Sequence, residues 1–306
     1  MPILRLLAPV ALIALLAFLL SRTDLTALGA AFSQISVTHV IAGLALVQVQ
    51  IIVSALRWRF TASRLGEPFP ASVAISEYYV ASLLNQSLPG GVAGDAVRAY
   101  RMRNAGAGGW KGPAKAVIFE RLSGQAAFFV LALSGLFAWP LVLGGEDAGR
   151  QALLLVLCFL LFVAAVCAGL IIAKRRYKRL SHIGDDLLRV FIHRGALPVQ
   201  AGLSLVIVGS YVATFFLASH AVGAPLPGIA AFTIIPLCLI AMLIPAGFGG
   251  WGTREAAAMV LFTVLAATES QGLAASVVYG GLSLAGALPG LAILSLEAIR
   301  GKPRRA

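Results

Sequence analysis

Apolar runs of about twenty residues recur along this chain, and they leave it few folds to choose from. Six are uninterrupted, at roughly 3–20, 38–56, 114–139, 152–173, 200–221 and 273–297. Each is long enough to cross a hydrocarbon layer about 30 Å thick as a helix. Only 12% of the residues are charged, against about 25% in soluble domains. The expectation is an all-α, polytopic membrane protein in which residues 1–306 form a single transmembrane domain. The first run, behind Arg5, reads either as a span or as a signal peptide cleaved near Gly29–Ala31. The number of spans that follow favours a span.

Two further apolar regions, 71–103 and 228–268, are broken in the middle. The first break is Leu88-Pro89-Gly90-Gly91-Val92-Ala93-Gly94. The second is Ile244-Pro245-Ala246-Gly247-Phe248-Gly249-Gly250-Trp251-Gly252. A broken helix frees backbone N–H and C=O groups. These cannot face lipid, so they must be buried in protein or line a wet cavity. Transporters place substrate sites at such points. The expectation is therefore about six full spans plus two broken or re-entrant hairpins, giving 8–10 apolar helical segments.

The basic residues set an orientation. Segments 57–70, 95–121, 174–194 and 300–305 carry 3, 6, 7 and 4 Lys or Arg, whereas loop 140–151 contains Glu146 and Asp147. The positive-inside rule then puts both termini and the basic loops in the cytoplasm of a cell with an inner membrane. Region 71–103 enters from the cytoplasm and returns to it. Region 228–268 lies between outside ends, as a re-entrant hairpin or as two full spans. Segments 38–139 and 200–297 then have the same layout in opposite orientation, as in an inverted repeat. Residues 174–198 form a basic cytoplasmic loop. Within it, Leu180, Ile183, Leu187 and Phe191 mark either an interfacial helix or a solvated connector. Residues 298–306 form a basic cytoplasmic tail.

A formal charge of +12 would suit a nucleic-acid partner, but the charges sit in short loops between spans and are topological. The three cysteines, Cys158, Cys167 and Cys238, lie in apolar runs and show neither disulfide nor zinc spacing. Gly247 to Gly252 matches G-x-G-x-x-G without the strand that a dinucleotide site requires. Asn85-Gln86-Ser87 is a glycosylation sequon inside a membrane hairpin. No P-loop, metal cluster or nucleophile with its base is evident, so no cofactor, metal or catalytic residue is expected.

Ionisable groups within membrane segments are functional candidates. Arg98 and Arg254 each follow a break, and guanidinium groups grip phosphate with a two-pronged geometry. Asp95 would cap its helix or orient an arginine. Glu120 and Glu255 would pair with arginines or carry protons. Arg121 and Asn85 complete the candidate headgroup site, beside the break residues Pro89, Gly90, Gly91, Gly94, Pro245, Gly249, Gly250 and Gly252. The competing reading is buried ion pairs that merely hold the hairpins, with Glu77 and Arg101 placed at the interface. Trp58, Trp110 and Trp139 read as interface anchors, and Trp251 as a candidate cavity residue.

These residues carry a resemblance. The run Asn85 to Tyr100 resembles the P-x-x-x-G-D-x-x-R-a signature of a flippase-like family, that of the transmembrane region of lysylphosphatidylglycerol synthetases. Glu120-Arg121 is similar to the family's E-R pair. Gly249-Gly250-Trp251-Gly252-Thr253-Arg254-Glu255-Ala256-Ala257 resembles its G-G-x-G-x-R-E-a-a motif. Arg57-Trp58-Arg59 resembles its R-W-R. The resemblance implies translocation of an anionic phospholipid or lipid-linked sugar, with Asp95, Arg98, Glu120, Arg121, Arg254 and Glu255 around the route. It also implies that the large soluble transfer domain of the synthetases would follow the membrane region. Here the sequence stops at Ala306 in a basic tail, so a lysylated substrate is not implied. The alternative function is a non-transporting membrane subunit of an envelope lipid or glycan pathway.

Overall fold

The computed structural model describes residues 25–88, 90–103, 109–139, 181–244 and 249–300, with isolated positions between 142 and 168. The run 3–20, most of 140–173, the basic residues 174–179 and the tail beyond 300 lie outside the described residues, as do Pro89, Pro245, Cys158 and Cys167.

Every regular element among the described residues is helical. A short α1, Leu25–Ser33, precedes α2, Val37–Arg64. Ser36 starts α2 by accepting the His39 N–H on its hydroxyl at 3.3 Å, an N-cap that satisfies an orphan donor. Then come α3, Ala71–Ser87, and α4, Ala93–Arg101. Next is α5, Lys111–Leu136, which tolerates Pro113 because it falls in the first turn. After α6, Ser181–Phe191, follow α7, Ala196–Ala221, α8, Ile234–Ala241, and α9, Thr253–Thr263. The chain closes with α10, Glu269–Ala287, capped by Thr268, and α11, Pro289–Arg300, which restarts on a proline at its first position.

Among the described residues, four helices are long and apolar enough to cross a membrane: Val37–Arg64, Lys111–Leu136, His193–Ala221 and Glu269–Arg300. Between them lie the two broken regions. α4, α8 and α9 have 9, 8 and 11 residues, well short of the ~20 that a full span takes. Two boundaries differ from expectation. The helix expected over 38–56 runs on to Arg64, because Arg57 and Trp58 are buried inside the protein rather than at a water boundary. The final span extends to Arg300 through the restart at Pro289.

Side-chain contacts sort the helix ends onto two sides. On one side, His39 of α2 meets His220 of α7, and Gln271 of α10 reaches the Gly223 carbonyl. On the other, Arg64 donates to the Arg189 and His193 carbonyls, and the Glu67 carboxylate lies against Gly112 at the start of α5. The latter side carries the described ends of segments 57–70, 95–121 and 174–194.

Each broken region has its own apolar core. Ala55, Trp58, Ala74, Met102 and Ala116 pack beneath the first. Phe215, Ile235, Cys238, Phe262 and Tyr279 pack beneath the second. Val47, Ile51, Leu83 and Leu282 join the two. Gly286 and Gly290, spaced four apart, sit against Val47 and the Tyr79 carbonyl, where a Cβ would meet atoms at 2.3 and 2.5 Å. Large apolar side chains such as Ile41, Val130 and Leu205 remain exposed on the long helices. An apolar outer surface on apolar helices is what lipid solvates, and the chain is a multi-pass membrane protein.

Candidate functional site

The first break is held shut by its own side chains. Asn85, in the last turn of α3, accepts the Gly94 N–H at 2.7 Å and donates to Asp95 at 3.3 Å. One side chain thus satisfies a donor freed at the start of α4 and orients the acid that follows. A Cβ at Gly94 would stand 2.0 Å from the Ala81 carbonyl oxygen, so only glycine lets α4 lie this close to α3.

Asp95 does not cap α4. Its carboxylate instead joins two arginines, Arg98 at 2.8 Å and Arg121. Arg98 continues to Glu120 at 2.8 Å, and Glu120 also holds Arg57 at 2.8 Å. Tyr78 donates to the Glu120 oxygen that binds Arg57, at 3.3 Å. The result is one network of three arginines and two carboxylates drawn from α2, α4 and α5. The Arg98 side chain is only 1% exposed. Its Nε and Nη1 have no hydrogen-bond partner, and its guanidinium lies over the Trp58 and Tyr78 rings at 4.8 and 4.6 Å. Cation–π contact of this kind steadies a buried cation. Gly124 leaves room for Arg57, whose Nη2 would lie 2.8 Å from a Cβ there.

The second break is built differently. Glu255 accepts the Gly252 N–H at 2.6 Å and closes the start of α9. It also pairs with its neighbour Arg254, while Ser276 bonds both, at 2.8 Å to Arg254 and 2.9 Å to Glu255. Arg254 lies over the Trp251 and Tyr279 rings. This is a self-contained, neutral pair, and the structure does not join it to the network of Asp95 and Glu120.

A cavity of about 210 Å³ lies beside the two breaks. Arg57, Glu120 and Arg121 reach its wall, as do Asn85 and Tyr279. Asp95, Arg98, Arg254, Glu255 and Trp251 do not line it. Gly91 and Gly249, one from each break, do. The two breaks touch here: a Cβ on Gly249 would fall 2.6 Å from the Gln86 Cα, and one on Gly91 would lie 3.8 Å from the Gly249 Cα. Both glycines have positive φ, +64° and +55°, the left-handed region that other residues avoid.

The remaining candidates have other places. Arg101 and Glu77 are not isolated interfacial groups. They form a two-pronged pair at 2.7 and 2.8 Å, extended by Glu297 of α11 at 2.9 Å, which ties the last helix to the first hairpin. Trp58 is buried rather than an interface anchor, and Trp139 is partly buried in the core. Trp110 is exposed. Sequence reasoning missed Arg57, Tyr78, Ser276, Tyr279 and Glu297 as site or network residues. Arg57 had a signal: it directly follows an apolar run, where an ionisable residue invites a buried partner. Nothing in the sequence tied Glu297 to Arg101.

A helical membrane protein with a buried charge network and an arginine-bearing cavity beside two broken hairpins defines a class. Within it, residues 5–290 match the family described as the lysylphosphatidylglycerol synthase TM region. The chain belongs to that family. No curated protein matches the sequence.

Proposed function

We propose that this protein moves the headgroup of an anionic phospholipid or lipid-linked sugar between the leaflets of the inner membrane, as a flippase or scramblase without enzymatic activity. One observation carries the reading: the two helix breaks meet beside a cavity walled by Arg57 and Arg121. Membership of a family tied to lipid and envelope biosynthesis supports it.

In this reading the segments 38–139 and 200–297 are inverted halves. α3–α4 enters from the cytoplasm, α8–α9 re-enters from outside, and the termini are cytoplasmic. The basic loops on one side support that orientation. The headgroup travels between the hairpins while its acyl chains stay in lipid. Arg57 and Arg121 receive the phosphate, and Asp95, Arg98 and Glu120 hold those arginines in place. Arg254 and Glu255 fix the second hairpin behind Tyr279.

Leaflet exchange tests the proposal. Purified protein is reconstituted with a fluorescent anionic phospholipid, and a membrane-impermeant reductant quenches the outer leaflet. The expected result is quenching beyond the outer-leaflet half, at a rate above protein-free vesicles. Rates equal to protein-free vesicles for both phospholipid and lipid-linked sugar would refute it.

A further inference from the structure

The charges around the cavity do not balance, and the imbalance specifies a ligand. On the wall and bonded directly to it are Arg57, Arg98 and Arg121 against Asp95 and Glu120. The surplus is one positive charge. The other lining side chains are neutral, and the Arg254–Glu255 pair behind Tyr279 adds nothing to the balance.

The free valences agree with the charge. Arg57 Nε is buried without a hydrogen-bond partner. Arg121 spends Nη2 on both Gly91 and Asp95, and its side chain remains 35% exposed at the cavity. The Arg121 guanidinium is therefore on offer to an anion, with the buried Arg57 charge behind it. No carboxylate is free for a cation, and the unpartnered acceptors on the wall, such as Gln50 Oε1, are neutral. Glu120 is the one carboxylate among the described lining residues, and its two oxygens are engaged by Arg57 and Arg98. Elsewhere the wall mixes neutral hydroxyls and amides, among them Ser54, Ser82, Gln125 and Tyr211, with apolar side chains such as Ile51, Phe128 and Leu239. Hydroxyl groups pair with such a wall without adding charge. The cavity volume of about 210 Å³ lies below the ~300 Å³ at which sites for whole drug-sized molecules begin. It holds a headgroup, not a lipid.

Resting on the reading that this cavity receives a headgroup, we infer that its ligand is a lipid with a single phosphodiester charge and a neutral, hydroxyl-bearing headgroup. One monoanion cancels the surplus. A pyrophosphate would bring excess negative charge into a low-dielectric site, and an aminoacylated headgroup would bring ammonium groups to two guanidiniums and no free carboxylate. The lysylated lipid in the family's name is thus the wrong charge type for this cavity.

Native mass spectrometry of the purified protein with four defined lipids tests this. The lipids are phosphatidylglycerol, phosphatidylcholine, lysylphosphatidylglycerol and a polyprenyl pyrophosphate sugar, with diacylglycerol as baseline. Phosphatidylglycerol should bind at least about tenfold more tightly than the other three, equivalent to ~1.4 kcal/mol. Gln125→Glu keeps the shape of the wall and cancels the surplus charge one helical turn from Arg121, so it should erase that preference. Arg121→Gln should do the same. Equal or tighter binding of the lysylated or pyrophosphate lipid overturns the inference and leaves the headgroup site standing. Preference unchanged in a folded Gln125→Glu protein also overturns it. Binding of no lipid above diacylglycerol removes the headgroup site itself, and the inference with it.

Discussion

Glu120 is the residue on which the site depends. It is buried and bridges Arg57 and Arg98. Glu120→Ala would leave two buried cations short of a counter-ion, and breaking a buried pair costs about 3–5 kcal/mol. The expected outcome is a large fall in the detergent melting temperature and in yield. Arg254 gives a contrasting expectation. Its pair with Glu255 is neutral and enclosed, so the double change Arg254→Met with Glu255→Gln should cost far less than Arg254→Met alone, because no lone charge remains. Thermal unfolding of the three variants checks this. At this scale Asp95, Arg98, Glu120 and Arg121 were legible in the sequence, because ionisable groups within or beside apolar runs stand out, and Asn85 was legible because it directly precedes the first break. Which pairs they form was not. Asp95 and Arg121 are 26 positions apart, and only the packing of α4 on α5 joins them.

The elements were legible wherever backbone chemistry forced them. Glycine and proline located both breaks, and α4 and α9 start within a residue or two of the expected points. The length of α2 was hidden, because a hydropathy reading ends at Arg57 while the helix continues wherever a buried partner meets the charge. The Arg101–Glu77–Glu297 link was hidden for the same reason: a charge near a helix end looks interfacial until its partner is known. Two glycine substitutions test the packing of the hairpins. Gly94→Ala puts a Cβ 2.0 Å from the Ala81 carbonyl oxygen. Overpacking of this kind costs about 1–3 kcal/mol, and the melting temperature should fall accordingly. Gly249→Ala combines a Cβ 2.6 Å from the Gln86 Cα with a left-handed backbone that costs an L residue about 1–2 kcal/mol. It should disturb both hairpins, seen as faster hydrogen exchange in 81–98 as well as in 249–263. Faster exchange in the second segment alone would mean that the breaks do not lean on each other.

Across the whole molecule, composition revealed a membrane protein, and the distribution of Lys and Arg grouped segments 57–70, 95–121 and 174–194, whose described ends meet on one side. The cavity was not legible, since it is made by α2, α3, α5, α7, α8 and α10 together. No single stretch of sequence encodes a space between six helices. The central claim is that a headgroup passes through that space, and blocking it is the direct test. Gln125 lies on the cavity wall in none of the ion pairs described. In reconstituted vesicles containing fluorescent phosphatidylglycerol, a Gln125→Cys protein is treated with a bulky thiol-reactive reagent. Wild-type protein with its three native cysteines serves as control. The account predicts that leaflet exchange falls to the protein-free rate in the treated variant, while wild type is unaffected and both melt as before. Full exchange after complete modification of the introduced thiol would contradict a route through the cavity.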